Sequence, residues 1–245
     1  MKKISFINDD AYSVKFTEVV LNGSTFFVPK YASHRPAIEA FLKGSPIEPK
    51  TYIFVEKFFN KIKGSMVHAG TFFGDMLPSF SQSVNGTVYA FEPVLENYVL
   101  AKMCIEVNKL ENIQIQNCAL SNKFSNLYMS TFREGSGGHA GGASSVTKNV
   151  NIGTICSSIP IDSLDCKDIV LIQLDVEGHE LIALEGAKKT IKDFRPVIAI
   201  EDHKFTCDDF LKSLDYEHIK TIPGLKIWSP IENAEYKNIV LSSVN

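Results

Sequence analysis

No stretch of the sequence gathers positive charge. Lys and Arg total 25 against 28 Asp and Glu, for a formal net charge of −3 and a pI of about 6.1. A dedicated nucleic-acid surface needs a basic stripe, so none is expected. Cysteine is scarce as well. The five residues Cys104, Cys118, Cys156, Cys166 and Cys207 are scattered and form no CxxC pair, which indicates neither a zinc site nor a disulfide framework and suits a reducing compartment. Nothing reaches the roughly 18 apolar residues of a membrane span. The N-terminus opens Met1-Lys2-Lys3-Ile4-Ser5 and moves straight to Asn8-Asp9-Asp10, without the apolar core of a secretion signal. The expectation is a cytoplasmic protein with no membrane and no nucleic-acid partner.

Apolar residues are plentiful, at 44% of 245. That is enough for a sizeable core and for one α/β domain with small additions. The chain can be arranged around residues 65–93. They read as a buried strand (Met66-Val67-His68-Ala69), a turn (Gly70-Thr71-Phe72-Phe73-Gly74-Asp75), a helix, and a second strand (Thr87-Val88-Tyr89-Ala90-Phe91) ending on Glu92-Pro93. Glycine in a strand-to-helix turn lets the backbone pass close beneath a ligand, and an acid at the tip of the next strand can accept hydrogen bonds from both hydroxyls of a ribose. Gly70, Gly74 and Glu92 together suggest a nucleoside-containing cofactor. The third glycine of a dinucleotide fingerprint is absent, and so are the Lys and Ser/Thr of a P-loop. The bland alternative is a packed turn of an ordinary α/β protein.

Ahead of this unit, residues 4–29 alternate apolar and polar positions around Asn22-Gly23, the strongest hairpin signal in the sequence. Residues 1–47 are therefore expected to form a β-hairpin appendage to a main domain at 48–245. Glu48-Pro49 opens a helix with Tyr52, Val55, Phe58, Phe59 and Ile62 on one face. After Pro93 the pattern gives a helix over 95–108, a strand over 113–117 and a strand-like stretch over 126–132. The glycine-rich segment 135–145 is either a disordered insert or a lid over substrate. A strand near 155–161 precedes Ile169-Val170-Leu171-Ile172-Gln173-Leu174, an apolar run expected of a parallel strand covered on both faces. A helix over 180–190, a strand over 197–200, a helix over 210–214 and strands over 217–221, 226–229 and 238–242 complete the reading. Polar groups gather at the strand ends, in Glu92-Pro93, Asp175-Val176-Glu177-Gly178-His179-Glu180 and Glu201-Asp202-His203. That is the edge at which open α/β sheets bind ligands.

Three blocks carry a resemblance to the FkbM-type methyltransferases: 66–75, 88–108 and 171–187. In the third, Leu174-Asp175-Val176-Glu177-Gly178, Glu180, Leu184 and Glu185-Gly186-Ala187 resemble the most diagnostic signature of that family. Ala119-Leu120-Ser121, Ser144-Ser145, 161–164 and 196–201 are weaker matches. The resemblance implies S-adenosylmethionine as cofactor. It also implies a Rossmann-like class I methyltransferase fold, α/β, with a seven-stranded, mostly parallel sheet and helices on both faces. It assigns cofactor contacts to His68, Gly70, Gly74, Asp75, Glu92, Pro93, Cys118, Ala119 and Asp175. Two positions depart from the family: His68 stands where members usually have Asp, and Gln173 where they usually have Lys. An acid at 68 would help to hold the methionine end of the cofactor. His68 is thus expected at the tip of the first strand beside that end, with Asp75 or Asp175 supplying the negative charge.

Methyl transfer from a sulfonium is an in-line displacement in which the cofactor carries the hard chemistry and the protein aligns the acceptor and helps remove its proton. The resemblance suggests O-methylation of a hydroxyl on a small molecule or glycan. A hydroxyl is a poor nucleophile at neutral pH, so a general base is useful. Asp175, Glu177 and His139 are the candidates, with His179, Glu201 and His203 behind them. Each has a bland counterpart: Glu177 and Glu180 as caps of the following helix, His139 as a solvated loop residue. No ligand spacing supports a metal at Asp175, Glu201 and His203. The alternatives are a methyltransferase-like module that binds the cofactor without turnover, or a nucleotide-binding Rossmann relative, which suits Glu92 but not the Asp175 block.

Overall fold

The structure is a computed structural model that describes residues 2–5, 13–133, 138–139, 143–151, 153–202 and 205–243. Strands β1 (Lys2–Ser5), β2 (Ser13–Leu21) and β3 (Ser24–Pro29) form an antiparallel N-terminal sheet. The β2–β3 turn places Asn22 and Gly23 at φ 50° and 81°, the left-handed pair that a tight hairpin of this twist requires. With β1 this sheet has three strands where a hairpin was expected. Helix α1 (Pro36–Leu42) follows. Phe26, Phe41 and Phe73 then stack edge to face, with centroids 5.2 and 5.3 Å apart, tying the N-terminal sheet to the 70–75 turn.

The centre of the molecule is built by α2 (Pro49–Phe59), β4 (Ser65–Ala69), α3 (Leu77–Ser83), β5 (Val88–Phe91), α4 (Leu95–Asn108) and β6 (Ile113–Gln116). A second sheet follows, of β7 (Ala119–Leu120), β8 (Ser125–Ser130), β11 (Ser145–Thr147) and β12 (Thr154–Ile159), in the order β11-β8-β12-β7. Between them β9 (Phe132–Arg133) pairs with β10 (Gly138–His139). The chain then returns to the main sheet through β13 (Ile169–Leu174), α5 (Glu180–Glu185), α6 (Lys188–Phe194), β14 (Val197–Ile200), α7 (Asp208–Lys212), β15 (Tyr216–Ile222), β16 (Leu225–Pro230) and α8 (Ala234–Ser243). The main sheet has seven strands in the order β15-β16-β14-β13-β4-β5-β6. Five are parallel, and β16 and β15 join antiparallel at one edge.

Strand side chains alternate, so each parallel strand buries two faces. Met66, Ala90, Leu171 and Ala199 pack with Phe54, Phe58, Phe80 and Ile239 of α2, α3 and α8. Val67, Phe91, Ile172, Ile200 and Trp228 pack on the opposite face with Leu184, Ile191 and Leu211 of α5, α6 and α7. Two sequence expectations are corrected. Residues 238–242 are helical: Asn233 Oδ1 accepts the Tyr236 N–H at 2.9 Å to start α8, and Ile239, Val240 and Ser243 are buried at helical spacing. The single helix expected over 180–190 is two, because the Asp162 carboxylate accepts the N–H groups of Lys189 and Thr190 at 2.9 and 2.8 Å and starts α6 afresh. Among the described residues no helix is long and apolar enough to cross a membrane.

Candidate active site

The loops after β4, β5 and β13 meet at the C-terminal edge of the sheet. Gly70 is needed at its place: φ is +89°, and a Cβ there would stand 1.9 Å from the Asp175 carbonyl oxygen. Gly74 serves packing instead, since at φ +84° a Cβ would meet Ala101 of α4 at 3.1 Å. Glu92 is the hub of the loops. It is 4% exposed, Oε2 accepts the Phe72 N–H at 2.7 Å, and Oε1 accepts the Val94 N–H at 2.9 Å and the Asn97 amide at 3.3 Å. Asn97 Oδ1 in turn accepts from the Tyr31 hydroxyl at 2.5 Å, which links the hub to the N-terminal segment. Burial pushes the Glu92 carboxyl up to about 7 although these hydrogen bonds oppose the shift.

Around Glu92 lies a cavity of about 40 Å³ whose walls include Gly70, Pro93, Cys118, Ala119 and Asp175. The structure thus brings six of the nine expected cofactor residues to one place. Phe91, Val94, Asn97, Leu120, Met129, Ser144, Val146 and His179 also line it. Of these Asn97 had a signal in the sequence, as a polar residue on the inward face of a helix five positions after Glu92. Cys118 is a small apolar wall, its thiol pushed up to about 11 by burial and by Cys156. His179 Nε2 lies 3.3 Å from Ser121 Oγ, and burial lowers its pKa. The Glu92 carboxylate as acceptor and the apolar walls suit a nucleoside, but small-molecule sites run roughly 300–1,000 Å³.

Three expected contacts lie elsewhere. His68 does not stand at the strand tip. It is 2% exposed within β4, its Nδ1–H donates to Gln173 Oε1 on β13, and its ring meets Phe80 edge to face at 5.0 Å. Burial holds it down to about 4, so the ring is neutral. The physical reason is parity: residue 68 shares the face of Met66, over α3, and points into the core. Gly74 packs on α4, and Asp75 opens onto a different cavity, beside Tyr52.

On the other side of Asp175 a cavity of about 280 Å³ is lined by Glu177, Glu180, Glu201, Asp202, Phe132 and Ser145, among others. Asp175, Glu177 and Glu201 each bring a carboxylate oxygen within 4.8 Å of the others. The Asp175 carboxyl is raised well above the usual carboxylate range by burial, then by the hydrogen bond it shares with Glu201 and by the charges of Glu201, Glu48 and Glu177. Asp175 thus holds its proton to higher pH than an ordinary carboxyl does, at a hydrogen bond shared with Glu201. A hard divalent cation takes oxygen ligands of this kind, but such acid clusters are common without one and nothing else here calls for it. Glu180 caps its own loop, accepting the N–H groups of Val176 and Gly178 at 3.1 Å each. Asp202 accepts from the backbone of Thr206 and Cys207. His139 belongs to β10, which pairs with β9, and His203 lies outside the described residues, as do 134–137 and 140–142 of the glycine-rich segment. The end of that segment is placed: Ser144 faces the cavity at Glu92, while Ala143 and Ser145 face the one at Glu201.

Residues 68–225 match the family described as methyltransferase FkbM domain. No curated protein sequence matches the chain. Among solved structures, the methyltransferase FkbM from Methylobacillus flagellatus KT is similar at 17% identity and a TM-score of 0.51, over 68% of this chain and 43% of that one. The chain thus spans less than half the length of that relative. A SAM-dependent methyltransferase from Aquifex aeolicus (16% identity, TM-score 0.42, 74% and 92% covered) and M. jannaschii TYW2 in complex with AdoMet (14%, 0.48, 87% and 83%) are also similar.

Proposed function

This chain belongs to the FkbM methyltransferase family, and from that premise we propose that it transfers a methyl group from S-adenosylmethionine to a hydroxyl of a small molecule or glycan. The cofactor, when bound, supplies a methyl group on a positively charged sulfur. Glu92 would accept from the ribose hydroxyls, and Pro93, Val94 and Met129 would cover the base. The observation that carries the hydroxyl reading is the acid trio between the two cavities. Asp175 lines one, Glu177 and Glu201 line the other, and their oxygens converge. A hydroxyl must lose its proton as its oxygen bonds to carbon, and an ionised member of this group can take it.

The test is transfer of labelled methyl from the cofactor to a panel of sugars, polyols, phenols and amines. Label should enter hydroxyl acceptors, and Asp175→Asn should lower turnover about a hundredfold while S-adenosylhomocysteine still binds. Label on amines alone, or unchanged turnover in the variant, would refute the reading. A second result is expected from the narrow cavity. Hydrogen exchange in β8 and β11, which carry Met129 and Val146, should change when S-adenosylhomocysteine binds, because both residues line it. Identical exchange in both states would place the cofactor elsewhere.

A further inference from the structure

A cavity of about 390 Å³ opens between the N-terminal sheet and helices α2 and α3, and it shares no lining residue with the cavity at Glu92. Its size is that of a small-molecule site, and the reading above does not use it. Phe26, Phe41, Tyr52, Ile53 and Pro78 give it apolar walls. Asp75 lies against them, 6% exposed. Among the described residues its carboxylate is met by its own backbone N–H and by the Tyr52 hydroxyl at 3.5 Å, the outer limit of a hydrogen bond, while that hydroxyl is bound at 3.0 Å to the Asp75 carbonyl. Glu56 stands at the rim, and no Lys or Arg is among the described lining residues.

An enclosed acid with one weak side-chain partner, set in an apolar wall with no cation to balance it, is the complement of an ammonium group on an apolar body. We propose that this cavity binds a small primary amine with an apolar body, its ammonium group against Asp75. The charges that face Asp75 agree. Burial, and next the nearby Glu48, raise its carboxyl to about 7, so near neutrality it is divided between its two forms, and an arriving ammonium favours the ionised one. Tyr52 and Ile53 on α2, Phe26 on β3 and Phe41 on α1 can enclose the apolar part.

Benzylamine is the probe, with toluene and benzoate as its neutral and anionic counterparts, titrated at pH 8 against the whole chain with methyl-labelled Leu and Ile. Benzylamine should shift the methyl signals of Leu21 and Ile53 more strongly than toluene, and benzoate should leave them unchanged. Asp75→Asn keeps the shape of the side chain and should weaken benzylamine roughly tenfold or more, with toluene unaffected. Ser79→Phe, which fills the cavity from α3, should abolish both. Equal binding of benzylamine and toluene, or benzylamine affinity kept in Asp75→Asn, would overturn the proposal. So would displacement of benzylamine by S-adenosylhomocysteine, which would make this space the methionine end of the cofactor site.

Discussion

Replacing His68 with Asp should cost the chain about 3–5 kcal/mol of stability, and adding Gln173→Lys should return much of it. His68 and Gln173 are 2% and 1% exposed and are each other's hydrogen-bond partner across β4 and β13. They are also the two positions at which the resemblance read from the sequence implies Asp and Lys. On that resemblance, a pair of opposite charges is exchanged here for a neutral pair at one contact. A carboxylate placed alone at 68 would be buried between Phe80 and a neutral amide, with no counter-charge and with the volume of the imidazole ring lost. A lysine alone at 173 would be as badly placed. Together they neutralise each other, so the double-mutant cycle should give a favourable coupling of about 2 kcal/mol or more. Urea unfolding of the four proteins measures it. Coupling near zero, or a His68→Asp variant as stable as the parent, would mean that the contact does not hold the two strands as described. The result also bears on cofactor binding: with its ring in the core, His68 neither repels nor attracts a sulfonium, and its replacement should change affinity only through stability.

Much of this arrangement was legible in the sequence because local chemistry and tertiary structure agree. The apolar run at 169–174 is apolar because β13 is covered on both faces, and Asn22-Gly23 is a hairpin turn because both residues must take positive φ. The strand ends were legible for the same reason, and they brought Glu92 and Asp175 forward. What a single sequence does not carry is the order of strands. Asp175 meets Glu201 only because β13 lies beside β14, with Leu174 opposite Ile200 and the Glu201 N–H on the Leu174 carbonyl at 2.9 Å. Met129 and Ser144 reach the cavity through a second sheet whose β12 runs parallel to β7, a pairing across 39 residues (158 − 119). Asn238-Ile239-Val240 has the β-branched composition of a strand. There a cap at Asn233 and burial against α2 outweigh a propensity worth about 1 kcal/mol or less.

Glu92 should give the free chain and its cofactor complex opposite responses to pH. In the free protein its carboxyl is raised from 4.5 to about 7, first by burial. Between those values the folded chain holds a proton that the unfolded chain has released, so this stabilisation is complete below 4.5 and is lost as pH rises through 7. At 1.36 kcal/mol per unit it amounts to about 3 kcal/mol. Asp75, raised to about 7 by burial and Glu48, adds in the same sense. His68 runs the other way: its pKa is lowered to about 4, so its contribution is lost as pH falls below 6.5 and offsets part of the carboxyl effect between 4.5 and 6.5. Above pH 6.5 the carboxyls act alone, and the melting temperature of the free chain should fall toward pH 8. Ribose hydroxyls donate hydrogen bonds, so they favour the ionised Glu92. Affinity for S-adenosylhomocysteine should therefore rise roughly tenfold per unit as pH approaches 7, then level off. Glu92→Gln separates the two effects. It removes the titrating group but turns an amide N–H toward one of the donors that Glu92 now satisfies, the N–H groups of Phe72 and Val94. Its melting temperature should be less sensitive to pH than that of the parent, and its affinity should be low and nearly independent of pH. Calorimetric titrations from pH 5.5 to 8, in buffers that differ in ionisation enthalpy, count the proton released. A parent protein with a flat affinity profile and no proton release would remove Glu92 from the cofactor site.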